Sequence, residues 1–251
     1  MVRLEGVGKV YQGRAGAYEA VRDFSLDLAP GEFFCLLGTS GCGKTTVLNM
    51  LAGFEAPSHG RITLDGRPVT RPGAERGVVF QGTDSLYDWL SARDNTAFGP
   101  RLAGVGKAAR RAAAERWLQL VGLAGQGDKH PAELSGGMKQ RIQIARALAN
   151  DPALLLMDEP FGALDAMTRN VLQAELTRIW QEARKTILFI THDIEEAVAL
   201  ATRVGVMRRG PGGTLKAVLP VDLPFPRDRT SDGFMAVFRQ VHALIREEIA
   251  A

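Results

Sequence analysis

The chain is expected to fold as an α/β protein: a parallel-sheet core with a β-rich first third and an inserted α-helical subdomain. Three observations predict it. Short apolar runs bounded by Gly and Pro fill the first third, residues from about 101 to 149 carry the helical period with almost no strand signal, and after Pro152 the pattern returns to strand, helix, strand. Strands that resume around a helical block make that block an insertion, near residues 82–150.

In chain order, strands are expected at 20–28, 32–37, 60–64 and 77–80, punctuated by Pro30-Gly31, His59-Gly60 and Asp65-Gly66. Helices follow at 108–122 and 138–149. Beyond Pro152 come a strand at 154–157, a helix at 167–184, a strand at 186–191, a helix at 194–201 and a strand at 203–207. Residues 209–229 read as a tail punctuated by Pro211, Pro220, Pro224 and Pro226. In the last helix, from about Asp232, Phe234, Val237, Phe238, Val241, Leu244, Ile245 and Ile249 share one face. Docking on the protein's own core is the default for such a stripe, with a membrane or partner surface as the alternative.

At 251 residues and 45% hydrophobic, the chain is able to bury a full core. A net charge of +3 with a pI near 9.0 is an ordinary surface and does not imply nucleic acid. The two cysteines, Cys35 and Cys42, fall in a strand and inside a glycine-rich loop, which points to a reducing, cytosolic compartment. The first residues lack a secretory signal pattern, and no apolar run is long enough to span a bilayer. Any membrane role is expected to need another chain for the spanning.

Gly38-Thr39-Ser40-Gly41-Cys42-Gly43-Lys44-Thr45 matches G-x-x-x-x-G-K-[ST] between an apolar strand and an amphipathic helix. In that context it is a phosphate-cradling loop, whose glycines wrap the phosphates and whose helix N-terminus offers free N–H groups to an anion. Lys44 is expected to reach the β- and γ-phosphates of a nucleoside triphosphate, and the Thr45 hydroxyl to sit on Mg²⁺. Cys42 is expected beside the nucleotide as the reactive thiol, with Cys35 buried. The run 154–157 ends in Asp158-Glu159, placing two carboxylates at a strand's C-terminal end, where open α/β sheets bind ligands. Asp158 is expected to hold the metal and Glu159 to orient or deprotonate the attacking water.

Ser135, ahead of Gly136-Gly137 and a helix, forms a second anion-binding device. One triphosphate does not need two such devices from one subunit, so this one is expected to close over a nucleotide held by a twin. His192 follows a strand and is expected to sense the γ-phosphate and the attacking water, with capping or packing as the alternative. Gln81 is either an amide touching Mg²⁺ or an ordinary loop residue. Tyr11 is either a platform for adenine or a packed strand tyrosine.

Taken together, these motifs resemble the ATP-binding cassette (ABC) family of transporter ATPases over essentially the whole chain. They follow the family's order: A-loop (Tyr11), Walker A (38–45), Q-loop (Gln81), signature (134–140), Walker B (155–159), D-loop (Ala163-Leu164-Asp165) and H-loop (His192). The resemblance implies a P-loop NTPase core with an N-terminal antiparallel β region and an inserted α-helical subdomain. It divides the chain into a core of 1–81 with 151–210, a helical signature subdomain of 82–150 and a tail of 211–251. It also implies a head-to-tail homodimer sandwiching two ATP with Mg²⁺. Each ATP is held by Tyr11, Gly38, Ser40, Gly41, Cys42, Gly43, Lys44, Thr45 and Thr46 of one subunit and by Ser135, Gly137, Gln140 and Asp165 of the other. Thr45, Gln81 and Asp158 form the implied metal set, and Glu159, His192 and Gln81 the catalytic set. The implied partners are transmembrane permease subunits and, indirectly, a periplasmic solute-binding protein, at the cytoplasmic face of the plasma membrane.

Within the family, Pro72-Gly73-Ala74-Glu75-Arg76-Gly77-Val78-Val79-Phe80-Gln81 and the stretches 158–165 and 191–197 resemble the nitrate/sulfonate/taurine branch of bacterial importers, the first being most similar to the taurine importer's ATPase. Where that branch reads Leu-Leu-Pro-Trp after the Q-loop, this chain reads Ser85-Leu86-Tyr87-Asp88-Trp89. Tyr87 and Trp89, with Asp84 and Asp88, are expected either to receive a permease helix or to pack within the helical lobe. Cassette proteins of DNA repair or translation are the competing class. They carry long coiled-coil insertions or tandem cassettes, and this sequence shows neither.

Overall fold

A computed structural model of the chain describes residues 1–13, 16–82, 85–162 and 164–250. They form two compact units, Met1–Gly73 with Arg184–Ala251, and Ala74–Ala183.

The first unit opens with β1 (Val2–Gly13), β2 (Gly16–Leu28), β3 (Phe33–Leu37), α1 (Lys44–Ala52), β4 (His59–Leu64) and β5 (Arg67–Pro68). An antiparallel sheet runs in the order β2-β1-β4-β5. In β2, Phe24, Leu26 and Leu28 are buried while Ser25 and Asp27 are exposed, the period-two pattern of a sheet with one wet face. β1 lies outside the strands expected from the apolar runs because its alternation is broken; the ladder shifts register between Leu4 and Val7 and again on either side of Lys9.

The second unit holds β6 (Arg76–Val79), α2 (Ala92–Thr96), α3 (Phe98–Leu102), α4 (Lys107–Leu120), a 3₁₀ turn (Pro131–Glu133), α5 (Gly136–Leu148), β7 (Leu154–Asp158) and α6 (Ala166–Ala183). Strands β6 and β7 pair in parallel from Arg76↔Leu154 to Val79↔Met157. The unit is wider than the helical insert expected at 82–150. The β6–β7 ladder, extended by Ala153 N–H and Leu154 N–H donating to the Glu75 carbonyl, ties the two strands together, and α5 packs on β6. Arg93 of α2 ion-pairs with Glu115 of α4 and with Asp128. The buried Asn95 amide donates to the carbonyls of Tyr87, Leu90 and Ser91, which fixes the entry to α2.

The chain returns to the first unit with β8 (Thr186–Thr191), α7 (Ile194–Leu200), β9 (Arg203–Met207), β10 (Leu215–Pro220) and α8 (Asp232–Ala250). β3 lies between β8 and β9, parallel to both, and every residue of β3 and β8 is buried. β10 pairs antiparallel with β9, so the stretch read from sequence as a punctuated tail contains an edge strand, with Pro220 at its end. α8 docks on its own unit. Phe234 and Val241 are buried, and the buried Glu248 carboxylate accepts from Lys216 Nζ at 2.7 Å and Arg209 N–H at 2.8 Å. Among the described residues no helix is long and apolar enough to cross a membrane.

Candidate functional site

The phosphate loop lies between buried β3 and α1. Gly43 caps the helix with φ +100, and a Cβ there would stand 2.7 Å from the Ala20 carbonyl, so glycine is required twice over. The first helical bond runs from Val47 N–H to Gly43 O, so the earlier N–H groups of the turn lie outside the helical ladder, at the end of the helix that favours an anion. Lys44, 7% exposed, donates to the carbonyls of Gly38 at 2.7 Å and Thr39 at 3.0 Å and approaches Cys42 Sγ at 3.9 Å. None of these partners neutralises its charge. Thr45 is exposed on the first turn of α1 beside the half-buried Thr46, and Ser40 and Gly41 are exposed at the loop's crest.

Cys42 corrects an expectation. Its side chain is fully buried beneath the loop, and burial pushes the thiol up, opposed by Lys44. It is a packing residue like Cys35, and the loop's exposed face is made by its neighbours. Sequence reasoning also missed Gly213, where a Cβ would lie 1.8 Å from the Cys42 carbonyl oxygen. Only a residue without a side chain lets the turn after β9 brace the loop.

The same unit brings His192 to the loop's end of the sheet. Leu37 pairs with Thr191, so Gly38 and His192 each lie one residue past that pair at the sheet's C-terminal edge, and His192 is exposed. Tyr11 is tied to the neighbourhood of α1: its hydroxyl donates to Glu55 Oε2 at 2.6 Å, and Lys9 Nζ lies 5.1 Å from its ring centroid and 3.2 Å from Glu55. Burial and the Glu55 carboxylate raise the phenol's pKa, so it stays protonated. Glu55, absent from the sequence reading, is what holds this ring; its distance along the chain gave no signal.

In the second unit, the parallel register Val79↔Met157 places Gln81 and Glu159 at equal distance beyond it. Their side chains meet, Gln81 Nε2 to Glu159 Oε2, at 3.5 Å. Glu159 is half-buried with φ +42, a left-handed conformation costing about 1–3 kcal/mol in a non-glycine residue. Such strain recurs where a side chain must be aimed, and Gly162 N–H closing onto Glu159 O at 3.1 Å holds the turn. Asp158 ends β7 and is buried.

Also in this unit, a cleft of about 310 Å³ is lined by Ser135, Gly136, Gly137, Arg141, Asp165 and Thr168, among others. Ser135 Oγ accepts from Met138 N–H at 3.3 Å and Asp165 Oδ1 from Thr168 N–H at 2.9 Å, so two helix N-termini and a guanidinium converge on one space. The Thr168 amide holds the Asp165 carboxyl below the usual range. Gln140 is not brought there; it is 1% exposed, inside the unit. Ala163, between the Walker B and D-loop residues, lies outside the described residues.

The segment after Gln81 divides. Tyr87 packs inside the helical unit, 4.7 Å from the Phe98 ring and 5.5 Å from the Arg146 guanidinium, whereas Trp89 is 72% exposed, 5.1 Å from Tyr87. Arg146 donates to Ser85 O at 2.7 Å and Ser85 Oγ at 2.9 Å, anchoring the turn. Asp84 lies outside the described residues, and Asp88 is exposed.

A family profile described as ABC transporter matches residues 21–162. The chain belongs to the ABC transporter family. This cassette is 49% identical over 230 residues to the nitrate import ATP-binding protein NrtD of Synechococcus elongatus, covering 91% of this chain and 84% of that protein. It is 52% identical over 206 residues to the taurine import ATP-binding protein TauB of Burkholderia thailandensis, covering 82% of this chain and 79% of that protein. Its fold is similar to the dimeric structure of a post-hydrolysis state of an ATP-binding cassette bound to ADP and Pi, with a TM-score of 0.77 and 29% identity, covering 89% of this chain and 100% of that one. The cassette is an ATP-binding, ATP-hydrolysing protein with the nucleotide-binding-domain fold of its family.

Proposed function

We propose that this cassette is the ATPase subunit of an importer for taurine or a related organosulfonate. It works as a head-to-tail homodimer on transmembrane permease subunits at the cytoplasmic face of the membrane, with a periplasmic solute-binding protein delivering the solute. The observation that carries the solute class is the 52% identity to a taurine import protein. Nitrate is the second reading, supported by 49% identity over a larger share of the chain. Both solutes present a small oxyanion group.

The placements above support the following residue roles. Lys44 and the backbone N–H groups at the start of α1 hold the β- and γ-phosphates, and Tyr11, fixed by Glu55, offers its ring to the adenine. The donor set fits Mg²⁺: the Thr45 hydroxyl, the Asp158 carboxylate and the Gln81 amide are hard oxygen ligands. When bound, the ion neutralises charge on the phosphates. Glu159, aimed by its left-handed backbone and touched by Gln81, orients the attacking water, and His192 donates to the γ-phosphate. Ser135, Gly137 and Asp165 receive the triphosphate of the twin subunit at the anion-favouring cleft in the helical segment 82–150 and its flank. Gln140 supports α5 from within.

Co-purification from membranes with the permease and the solute-binding protein, followed by identification of the ligand on the latter, tests the solute. Recovery of an organosulfonate is the expected result. Nitrate would support the second reading, and a sugar or a peptide would overturn both.

A further inference from the structure

α7 is only seven residues long, too short to hold its own position, and it follows His192 directly. At its start, Asp193 Oδ1 accepts from Glu195 N–H at 2.8 Å and Glu196 N–H at 3.2 Å. The buried Glu196 carboxylate accepts the Thr191 hydroxyl at 2.6 Å, and that hydroxyl oxygen accepts Asp193 N–H at 3.0 Å. His192 lies inside this closed circuit, so its backbone moves with α7.

The other end of α7 is gripped by a residue outside every motif. Arg227 donates through Nη1 to Val198 O and Ala201 O, both at 2.6 Å, through Nη2 to Val221 O at 3.0 Å and through Nε to Leu223 O at 3.4 Å. Its guanidinium lies 4.1 Å over the Phe225 ring. Burial pulls its pKa down to about 10, and its charge faces the carbonyl end of the helix, where a cation is favoured. Two residues on, Arg229 Nη1 pairs with Glu195 Oε1 at 2.6 Å, near the start of the helix. The segment 221–229 therefore holds α7 at both ends.

We propose that Arg227 is a positioning residue for His192, acting through α7, so that the C-terminal segment sets the rate of hydrolysis without touching nucleotide. The proposal rests on the reading of His192 as the group that meets the γ-phosphate. Loss of the clamp removes the two guanidinium bonds that fix the C-terminal end of α7, and small misplacements of a reacting group cost rate far more than binding.

The test measures kcat and ATP affinity of the full chain for Arg227→Met and Arg227→Lys, each with His192 present and in a His192→Ala background by single-turnover hydrolysis. Arg227→Met is expected to lower kcat roughly ten- to a hundredfold, with ATP affinity within about twofold. Arg227→Lys, which keeps the cation and fewer donors, is expected to fall less. In the His192→Ala background the further loss should vanish, because the two changes remove one effect. An equal loss in that background, or a parallel loss of ATP affinity, would assign Arg227 a merely structural role and overturn the proposal. Should Arg227→Met not fold, unchanged kcat in folded Arg227→Lys would overturn it equally. Full turnover in His192→Ala alone would remove the premise instead, which separates failure of the His192 reading from failure of the clamp.

Discussion

Glu159 is half-buried at the turn after β7, whereas Cys42 is fully buried beneath the phosphate loop. Glu159 sits where the pattern of a strand ending in two acids puts it, and the structure adds a left-handed backbone and a contact with Gln81. Because a positioned proton acceptor contributes about 10²–10⁴-fold, Glu159→Gln is expected to lower turnover by that order while ATP affinity is retained. Hydrolysis assays paired with equilibrium ATP binding check it, and near-normal turnover would remove the role. Cys42 belongs to the loop by sequence yet points inward, fully buried, with its thiol pKa raised. Alkylation at neutral pH should therefore modify neither cysteine in the folded protein and both after denaturation, as read by intact mass. Rapid inhibition by the reagent would return Cys42 to the nucleotide side.

Among the elements, the turn leading into α2 and the docking of α8 each carry a measurable consequence. Tyr87 is packed against Phe98 and Arg146 while Trp89 stands out from the surface. Tyr87→Ala should cost about 2–3 kcal/mol in denaturant unfolding, and Trp89→Ala less than about 0.5. Equal costs would mean that both rings pack. For α8, the Lys216 ammonium beside Glu248 holds that carboxyl below its ordinary value of 4.5. A depressed carboxyl contributes stability that is present above the unfolded pKa and is lost as pH falls through the folded one. Glu248→Gln should thus lower the melting temperature at pH 7 and lose less on acidification below about pH 4.5 than the native chain does. Parallel acid profiles would show that the carboxylate does not hold the helix.

At the scale of the molecule, the phosphate loop and His192 belong to one compact unit, and the acidic pair, Gln81 and the Ser135 cleft to the other. In the head-to-tail dimer proposed above, Ser135 is assigned to the nucleotide of the twin. Ser135→Arg should abolish hydrolysis while leaving ATP bound to the single subunit, and Lys44→Ala should weaken binding by about 1.5–3 kcal/mol through loss of a charged donor. Mixing the two variants places both lesions in one site and neither in the other, so partial activity should reappear. No recovery at any ratio, with mixed dimers shown to form, would contradict the shared site.

Local chemistry alone determined most of the elements and the loop, because period, capping residues and glycine spacing act over a few neighbours. The buried strands β3, β7 and β8, the N-caps Ser135 and Asp193 and the cradle around Lys44 are of this kind. Tertiary structure decided whatever depends on partners far along the chain. β10 is a strand only because β9 offers it a ladder, and Tyr11 is fixed only because Glu55 comes to meet it. Burial settled the rest: Cys42 and Gln140 carry motif positions but face inward, since the side that a residue shows to solvent is set by what packs against it and not by its own sequence neighbours.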